Sequence, residues 1–203
     1  MSGEPSALLI VANSGRAMAE SALRGGYAVA VLDGFCDRDT QALAPCKQLL
    51  DSAGRIDPEL LLARAARIVP PSGDLGLVYG AGLENAPSAL ARLASRHRLF
   101  GNRAEVLDLL RDAKRFFGLL DSLAIPHPEI RFAAPADCSG HWLSKQAGSS
   151  GGQRVGHWRD GQNPSGDRDY LQRHLEGPAM SVLFIADEME FRIIGYNLLE
   201  TLD

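Results

Sequence analysis

Two lysines and a glycine-rich stretch are the groups in this chain best suited to handling phosphate. Lys145 closes the run Trp142-Leu143-Ser144-Lys145 and is followed at once by Gln146-Ala147-Gly148-Ser149-Ser150-Gly151-Gly152. A lysine at the end of a strand supplies a point charge, and glycines let backbone N–H groups converge on phosphate oxygens. Taken alone, such a loop also suits a flexible surface hairpin. The lysine precedes the glycines, an order that disfavours a Walker-type P-loop. Lys114 lies in Arg111-Asp112-Ala113-Lys114-Arg115-Phe116-Phe117, in helical rows with Leu110 and Phe117, and so borders an apolar stripe. On its own it reads as a lysine snorkelling on a solvated face. The third feature is the run Tyr170-Leu171-Gln172-Arg173-His174-Leu175, which meets Gly177-Pro178 and resumes as a strand. An exposed hinge of this kind can offer one backbone N–H and one C=O to the edge of an adenine, although in isolation it reads as an ordinary hairpin.

Other reactive types are scattered. Cys36, Cys46 and Cys138 match no zinc or redox spacing and read as free thiols in a reducing compartment. His97, His127, His141, His157 and His174 stand singly, with no pair at metal-ligand spacing. A Ser-His-acid triad cannot be argued from spacing, because triads are defined in space. Near the N-terminus an apolar run, Asn13-Ser14-Gly15, a helix and a strand ending in Asp33 form a partial dinucleotide-binding start. Of the three glycines that such a turn requires, only Gly15 is present. NAD(P) binding is therefore a minor alternative, with Asp33 otherwise a turn residue.

These groups must be positioned by elements that the hydrophobic pattern outlines. Residues 7–11 form a continuous apolar run, which suits a strand buried on both faces. Residues 16–23 predict a helix, with Ser14 as a candidate cap and Gly25-Gly26 as its stop. Strands are expected over 27–32 and 75–79, and helices over 58–68, with Asp57 as N-cap and Pro58 first, and over 87–94. This alternation implies βαβ units and a mostly parallel sheet. A short strand and a turn follow at 97–102. The pattern is then helical over 104–123, with Asp112 as a cap inside the stretch and Pro126 and Pro128 beyond it. After Pro128 short β-like runs at 142–145, 170–175, 181–186 and 191–194 suggest an α+β half.

In this order the features resemble the ATP-grasp superfamily, of the carboxylate–amine ligase type, over most of the chain. The resemblance implies an α/β fold. A Rossmann-like pre-ATP-grasp domain would span 1–101, and an α+β ATP-grasp domain, incomplete at its C-terminus, would span 102–203. It implies ATP as ligand, with Lys114, Lys145 and the loop Gly148, Ser149, Ser150, Gly151 and Gly152 on the phosphates. Gln172 would face the adenine amino group, and Arg173 and Leu175 would use backbone groups. The chemistry implied is attack of a substrate carboxylate on the γ-phosphate, then displacement of phosphate from the acylphosphate by an amine. Val78-Tyr79-Gly80-Ala81-Gly82-Leu83-Glu84, Leu99-Phe100-Gly101-Asn102 and 181–187 are similar to an ATP-grasp group linked to tetrahydromethanopterin and methanofuran one-carbon metabolism, akin to tyramine–glutamate ligase. Three departures stand out. Gln172 replaces the usual glutamate, and a glutamine still carries an acceptor. Ala179 stands where many members hold the ribose with a glutamate. The family's magnesium ligands would come from strands beyond Asp203, because Asp187, Glu188 and Glu190 lie too early and read as a solvated hairpin. The chain alone is thus expected to be inactive, as a truncated form or one completed by a further C-terminal part. A non-catalytic nucleotide-binding module is the main alternative.

Composition sets the outer limits. Of 203 residues, 45% are apolar and 23% charged, an ordinary globular balance that permits a core. The formal charge of -4 and the absence of a basic run exclude an electrostatic footprint for nucleic acid. The polar N-terminus does not resemble a signal peptide, and the apolar run 7–12 is too short to cross a bilayer, so a cytoplasmic protein without membrane association is expected. Small carboxylates and amines are the expected partners besides ATP. The oligomeric state is open, a homodimer included.

Overall fold

The apolar runs without alternation become strands covered on both faces. The computed structural model describes residues 6–51, 54, 56–68, 75–133, 141–149, 154–159, 164, 169–187 and 189–199. By packing, the chain divides into two compact units, Met1–Ala124 and Ile125–Asp203. In the first, β1 (Ala7–Ala12), β2 (Ala28–Asp33), β3 (Cys46–Gln48), β4 (Leu75–Tyr79) and β5 (Arg98–Phe100) form a five-stranded sheet in the order β3-β2-β1-β4-β5. All of its pairings are parallel.

Alternate residues of β1 supply two cores. Leu9 and Val11 join Leu32 and Leu77 with Leu61, Leu90 and Leu93 from α3 (Pro58–Ile68) and α4 (Pro87–Ala94). Ile10 joins Val29 and Val31 with Ala19 of α1 (Arg16–Arg24). A sheet with helices on both faces explains why β1 reads as an unbroken apolar run. Leu9, Leu32 and Leu77 are fully buried, and each such side chain contributes about 1.5–3 kcal/mol relative to exposure. Leu9→Ala, at the centre of the sheet, would cost about 2–5 kcal/mol.

The helix ends follow local chemistry. Asp57 accepts from Glu59 N and Leu60 N, as its position before Pro58 predicts. The chain leaves α1 through Gly26, whose φ of +84° is the left-handed conformation that glycine adopts without strain. The expected cap at Ser14 is not used: Gly15 is the N-cap residue and has no side chain to contribute. The stretch 104–123 is two helices, α5 (Ala104–Arg111) and α6 (Ala113–Ser122), with Asp112 accepting from Arg115 N between them. Ala104 and Leu107 belong to the larger core, so packing groups these helices with the first unit, whereas the pattern of motifs assigns them to the second. A six-residue helix, α2 (Arg38–Leu43), precedes β3.

The second unit contains a four-stranded antiparallel sheet in the order β6-β9-β7-β8, from β6 (Ile130–Arg131), β7 (Trp142–Gln146), β8 (Val155–His157) and β9 (Asp169–Arg173). Trp142 and Leu171 are its buried side chains among the described residues. The expected strand 170–175 stops at Arg173. His174 N donates to His141 O as the last sheet bond, and Gly177 with φ +148° then turns the chain. A separate ribbon pairs β10 (Ala179–Ala186) with β11 (Phe191–Leu199), longer than the expected runs on both sides. Asp187 closes its turn, accepting from Met189 N and Glu190 N at 2.8 Å. Both faces of the ribbon carry exposed apolar side chains, among them Leu183, Phe184, Ile185, Ile194 and Tyr196. No helix among the described residues is long and apolar enough to cross a membrane.

Candidate nucleotide-binding site

Antiparallel pairing in the second unit brings together two residues that the sequence separates. Lys145 lies opposite Tyr170 and Leu143 opposite Gln172, so Lys145 and Gln172 project from the same face of β7 and β9. The Lys145 ammonium donates to Gln172 Oε1 at 2.9 Å. Burial holds the Lys145 amine below its ordinary value. Its partner here is a neutral carbonyl, which orients the ammonium without cancelling its charge. The same carbonyl keeps a second lone pair for another donor.

The start of the glycine-rich loop is set by the strand before it. Ser149 donates through both N–H and Oγ to Gln146 O, and Gly148 takes φ +83° to make that turn. Gln146 is tied in turn to Asp169 at 3.1 Å and to Arg154 at 2.7 Å. Ser150, Gly151 and Gly152 lie outside the described residues.

The expected hinge lies at the end of β9. Arg173 N donates to Glu129 O at 2.8 Å, so its amide is spent within the sheet and only its carbonyl could face a base. Leu175 lies past the strand end, in the exposed segment before Gly177. The Arg173 guanidinium stacks over the Trp142 ring at 5.0 Å, as does that of Arg131 at 4.9 Å, and Glu129 pairs with both arginines. These side chains brace the sheet beside the hinge. Lys114 lies in the other unit, exposed in the first turn of α6.

A second concave feature occupies the first unit. Segments after β1, β2, β3 and β4 enclose a cleft of about 500 Å³ lined by Asn13, Gly34, Phe35, Leu50, Gly82 and Asn85. This is the carboxyl edge of a parallel sheet, where β1 lies between β2 and β4 and the strand order reverses, the usual place for ligands in open α/β folds. Asp33 is 1% exposed and accepts from Gly15 N at 2.5 Å and from Phe35 N and Cys36 N at 2.7 Å. Asp33 is the turn residue expected at the end of β2, and its second oxygen also reaches back to Gly15 N. Its Oδ2 thus ties the end of β2 to Gly15, the N-cap residue of α1. Gly15 serves packing here, since a Cβ would lie 2.8 Å from Val31 Cγ1.

For magnesium, the described residues do not fit. No group of three or more His, Cys, Asp or Glu among the described residues could hold a metal ion, and the Asp187 carboxylate is committed to its own turn. Glu188 lies outside the described residues.

No family model and no curated protein matches the sequence. Many solved structures share the fold. An N5-carboxyaminoimidazole synthetase from Staphylococcus aureus, complexed with ADP, superposes with a TM-score of 0.67 at 14% identity, over 98% of this chain and 55% of that one. An L-amino acid ligase from Bacillus licheniformis gives 0.69 at 13% identity, over 97% of this chain and 51% of that one. A protein from Archaeoglobus fulgidus described as of the ATP-grasp superfamily gives 0.63 at 12% identity, over 97% and 62%. The chain thus has the ATP-grasp architecture: a Rossmann-like parallel sheet followed by an α+β part. It spans little more than half the length of these structures.

Proposed function

We propose that this chain is the nucleotide-binding part of an ATP-dependent carboxylate–amine ligase that works through an acylphosphate. The observation that carries this reading is the half-buried Lys145, oriented by Gln172 and followed directly by the Gly148 turn. A positive charge beside the Gly148 turn suits phosphates, and the adjoining strand end would take the base. Lys145 and the backbone of 148–152 would contact the phosphates. Gln172, the Arg173 carbonyl and Leu175 would meet the adenine. Lys114 is a further phosphate contact proposed on resemblance alone. Phosphoryl transfer depends on alignment and charge neutralisation more than on covalent help, which suits a site built from lysines and backbone amides. The ADP-bound synthetase and the amino acid ligase of the same fold support the nucleotide and the amide-forming chemistry.

Magnesium ligands are proposed to lie on polypeptide other than the residues described, so these residues alone should turn over ATP poorly. A role in one-carbon cofactor biosynthesis in the cytoplasm, with a small acid and an amine as substrates, is proposed from the motif resemblance. The second reading, a non-catalytic nucleotide-binding module, predicts binding without magnesium-dependent ADP formation. An NAD(P) oxidoreductase is disfavoured by the missing glycines, only Gly15 of the three being present.

Thermal unfolding with ATP, ADP and NAD, each with and without magnesium, tests the proposal. A ligand at 100 times its Kd stabilises the folded state by about 2.7 kcal/mol. A rise in Tm with ATP or ADP, lost in Lys145→Ala, is expected. A rise with NAD alone would refute the reading.

A further inference from the structure

The loops that follow β1, β2 and β4 fix one another at the cleft of the first unit. Asn13 N donates to Ala81 O at 2.7 Å, and Gly34 N donates to Asn13 O at 3.1 Å. The Asn13 carboxamide lies across Gly82, whose φ of +108° and missing side chain make the room: a Cβ there would stand 2.5 Å from Asn13 Cγ and 2.8 Å from Nδ2. Pinned in this way, the carboxamide is exposed, and neither Oδ1 nor Nδ2 has a hydrogen-bond partner among the described residues. Asn85 is held by its Oδ1, which accepts from Arg111 Nη2, so its NH2 group is left for another acceptor. Phe35 is 72% exposed, although its N–H is fixed on Asp33 Oδ1 at 2.7 Å. An exposed ring, two carboxamides and the apolar Leu50, Ile56 and Ala86 thus line one space of about 500 Å³. No charged side chain lines it among the described residues, and the nearby Asp33 and Glu84 carboxylates are turned onto backbone amides.

We propose that this cleft is a ligand site for an uncharged, planar heterocycle that carries a lactam edge, an N–H beside a C=O, as in uracil or hypoxanthine. A carboxamide presents a donor and an acceptor side by side, the complement of such an edge, and asparagine pairs bidentately with base edges for this reason. Asn13 takes that edge, and the Asn85 NH2 group meets a second carbonyl or ring nitrogen. Phe35 stacks on the ring face, and Leu50, Ile56 and Ala86 take up its remaining surface. With no lining charge among the described residues, the cleft selects against carboxylates and phosphates, which would lose hydration without gaining an ion partner. The volume suits one small molecule held by a few convergent polar groups. The site belongs to the first unit alone and stands whether or not the nucleotide reading does.

Saturation-transfer NMR on the full chain tests the site with uracil, hypoxanthine, 1,3-dimethyluracil and orotate, a uracil carboxylate. Transfer to uracil and hypoxanthine is expected, and it should persist when ATP and magnesium are added. Dimethyluracil, whose N–H groups are blocked, and orotate, which is anionic, should bind about tenfold more weakly or worse. Titration should give a uracil Kd raised about tenfold in Asn13→Ala and in Phe35→Ala, both at exposed positions. No transfer to uracil or hypoxanthine at their solubility limits, equal binding of dimethyluracil, or a Kd unmoved by both substitutions would overturn the proposal. Displacement of uracil by ATP, with no effect of Phe35→Ala, would place the probe in the second unit and overturn it as well. Should either variant fail to match the unaltered chain in circular dichroism, the ranking of the probes on the unaltered chain decides.

Discussion

Removing the Asp33 carboxylate should weaken the first unit and leave the second almost untouched. Asp33 accepts three backbone N–H groups, one of them, from Gly15, in a buried setting and two nearer the surface. A hydrogen bond to a charged acceptor is worth about 1.5–3 kcal/mol, and an orphaned buried donor costs about 1–3 kcal/mol. The Phe35 and Cys36 amides can turn partly to water in Asp33→Ala, whereas the Gly15 amide cannot. The expected loss is therefore about 3–4 kcal/mol, not three full bonds. Asp33→Asn keeps one oxygen but presents an NH2 group to a donor, for a loss of about 1.5–2 kcal/mol. Two spectroscopic probes separate the units. All the described helices lie within Met1–Ala124, so the far-UV dichroism of unfolding in urea reports mainly on that unit. Trp142 and Trp158, the two tryptophans, lie in the other unit, so fluorescence reports on it. With a urea m-value of about 1–3 kcal/mol/M, the dichroism midpoint of Asp33→Ala should fall by about 1–4 M while the fluorescence midpoint stays. A fall below about 0.5 M, or equal movement of both midpoints, would refute the reasoning.

Two further outcomes follow from single contacts. In Gly34→Ala the new Cβ would lie 2.8 Å from the Asn13 carbonyl oxygen, a backbone atom that cannot swing aside, so a loss of about 1–3 kcal/mol in the same dichroism assay is expected. Lys145, whose amine is held down by burial, makes the unfolded chain bind more protons between its folded value and 10.5, so stability in the second unit should rise as pH climbs through that window. Lys145→Met should lack this increment when fluorescence-detected urea unfolding is compared across alkaline pH.

The parts of the fold legible in the sequence are those where one residue type repeats at one period. The runs that became β1, β2 and β4 are apolar without interruption because both faces are covered, and Asp57-Pro58 and Asp112 are local caps that need no tertiary knowledge. β3, β6 and β8 carried no such signal. Cys46-Lys47-Gln48 is short and partly exposed, Ile130-Arg131 is two residues, and Val155-Gly156-His157 is exposed throughout. These strands exist because a neighbour offers a free edge. The same logic divides the candidate site. Lys145 and its glycines are contiguous and could be found by order alone. The contact of Lys145 with Gln172 spans 27 positions, and that of Asp33 with Gly15 spans 18, so neither could be read before the strands were paired.

The ribbon of β10 and β11 has a practical consequence for anyone handling the protein. A two-stranded hairpin is at best marginally stable in water, and this one carries Leu183, Phe184, Ile185, Ile194 and Tyr196 exposed, with no further strand paired to either edge among the described residues. Such an edge is a template for another strand, and few charges along it act as gatekeepers, Arg192 being the one inside either strand. Solubility would then be governed by a segment remote in sequence from Lys145. Turbidity should grow steeply with concentration, and a lysine placed at Ile185 or Ile194 should suppress it without touching the parallel sheet of the first unit.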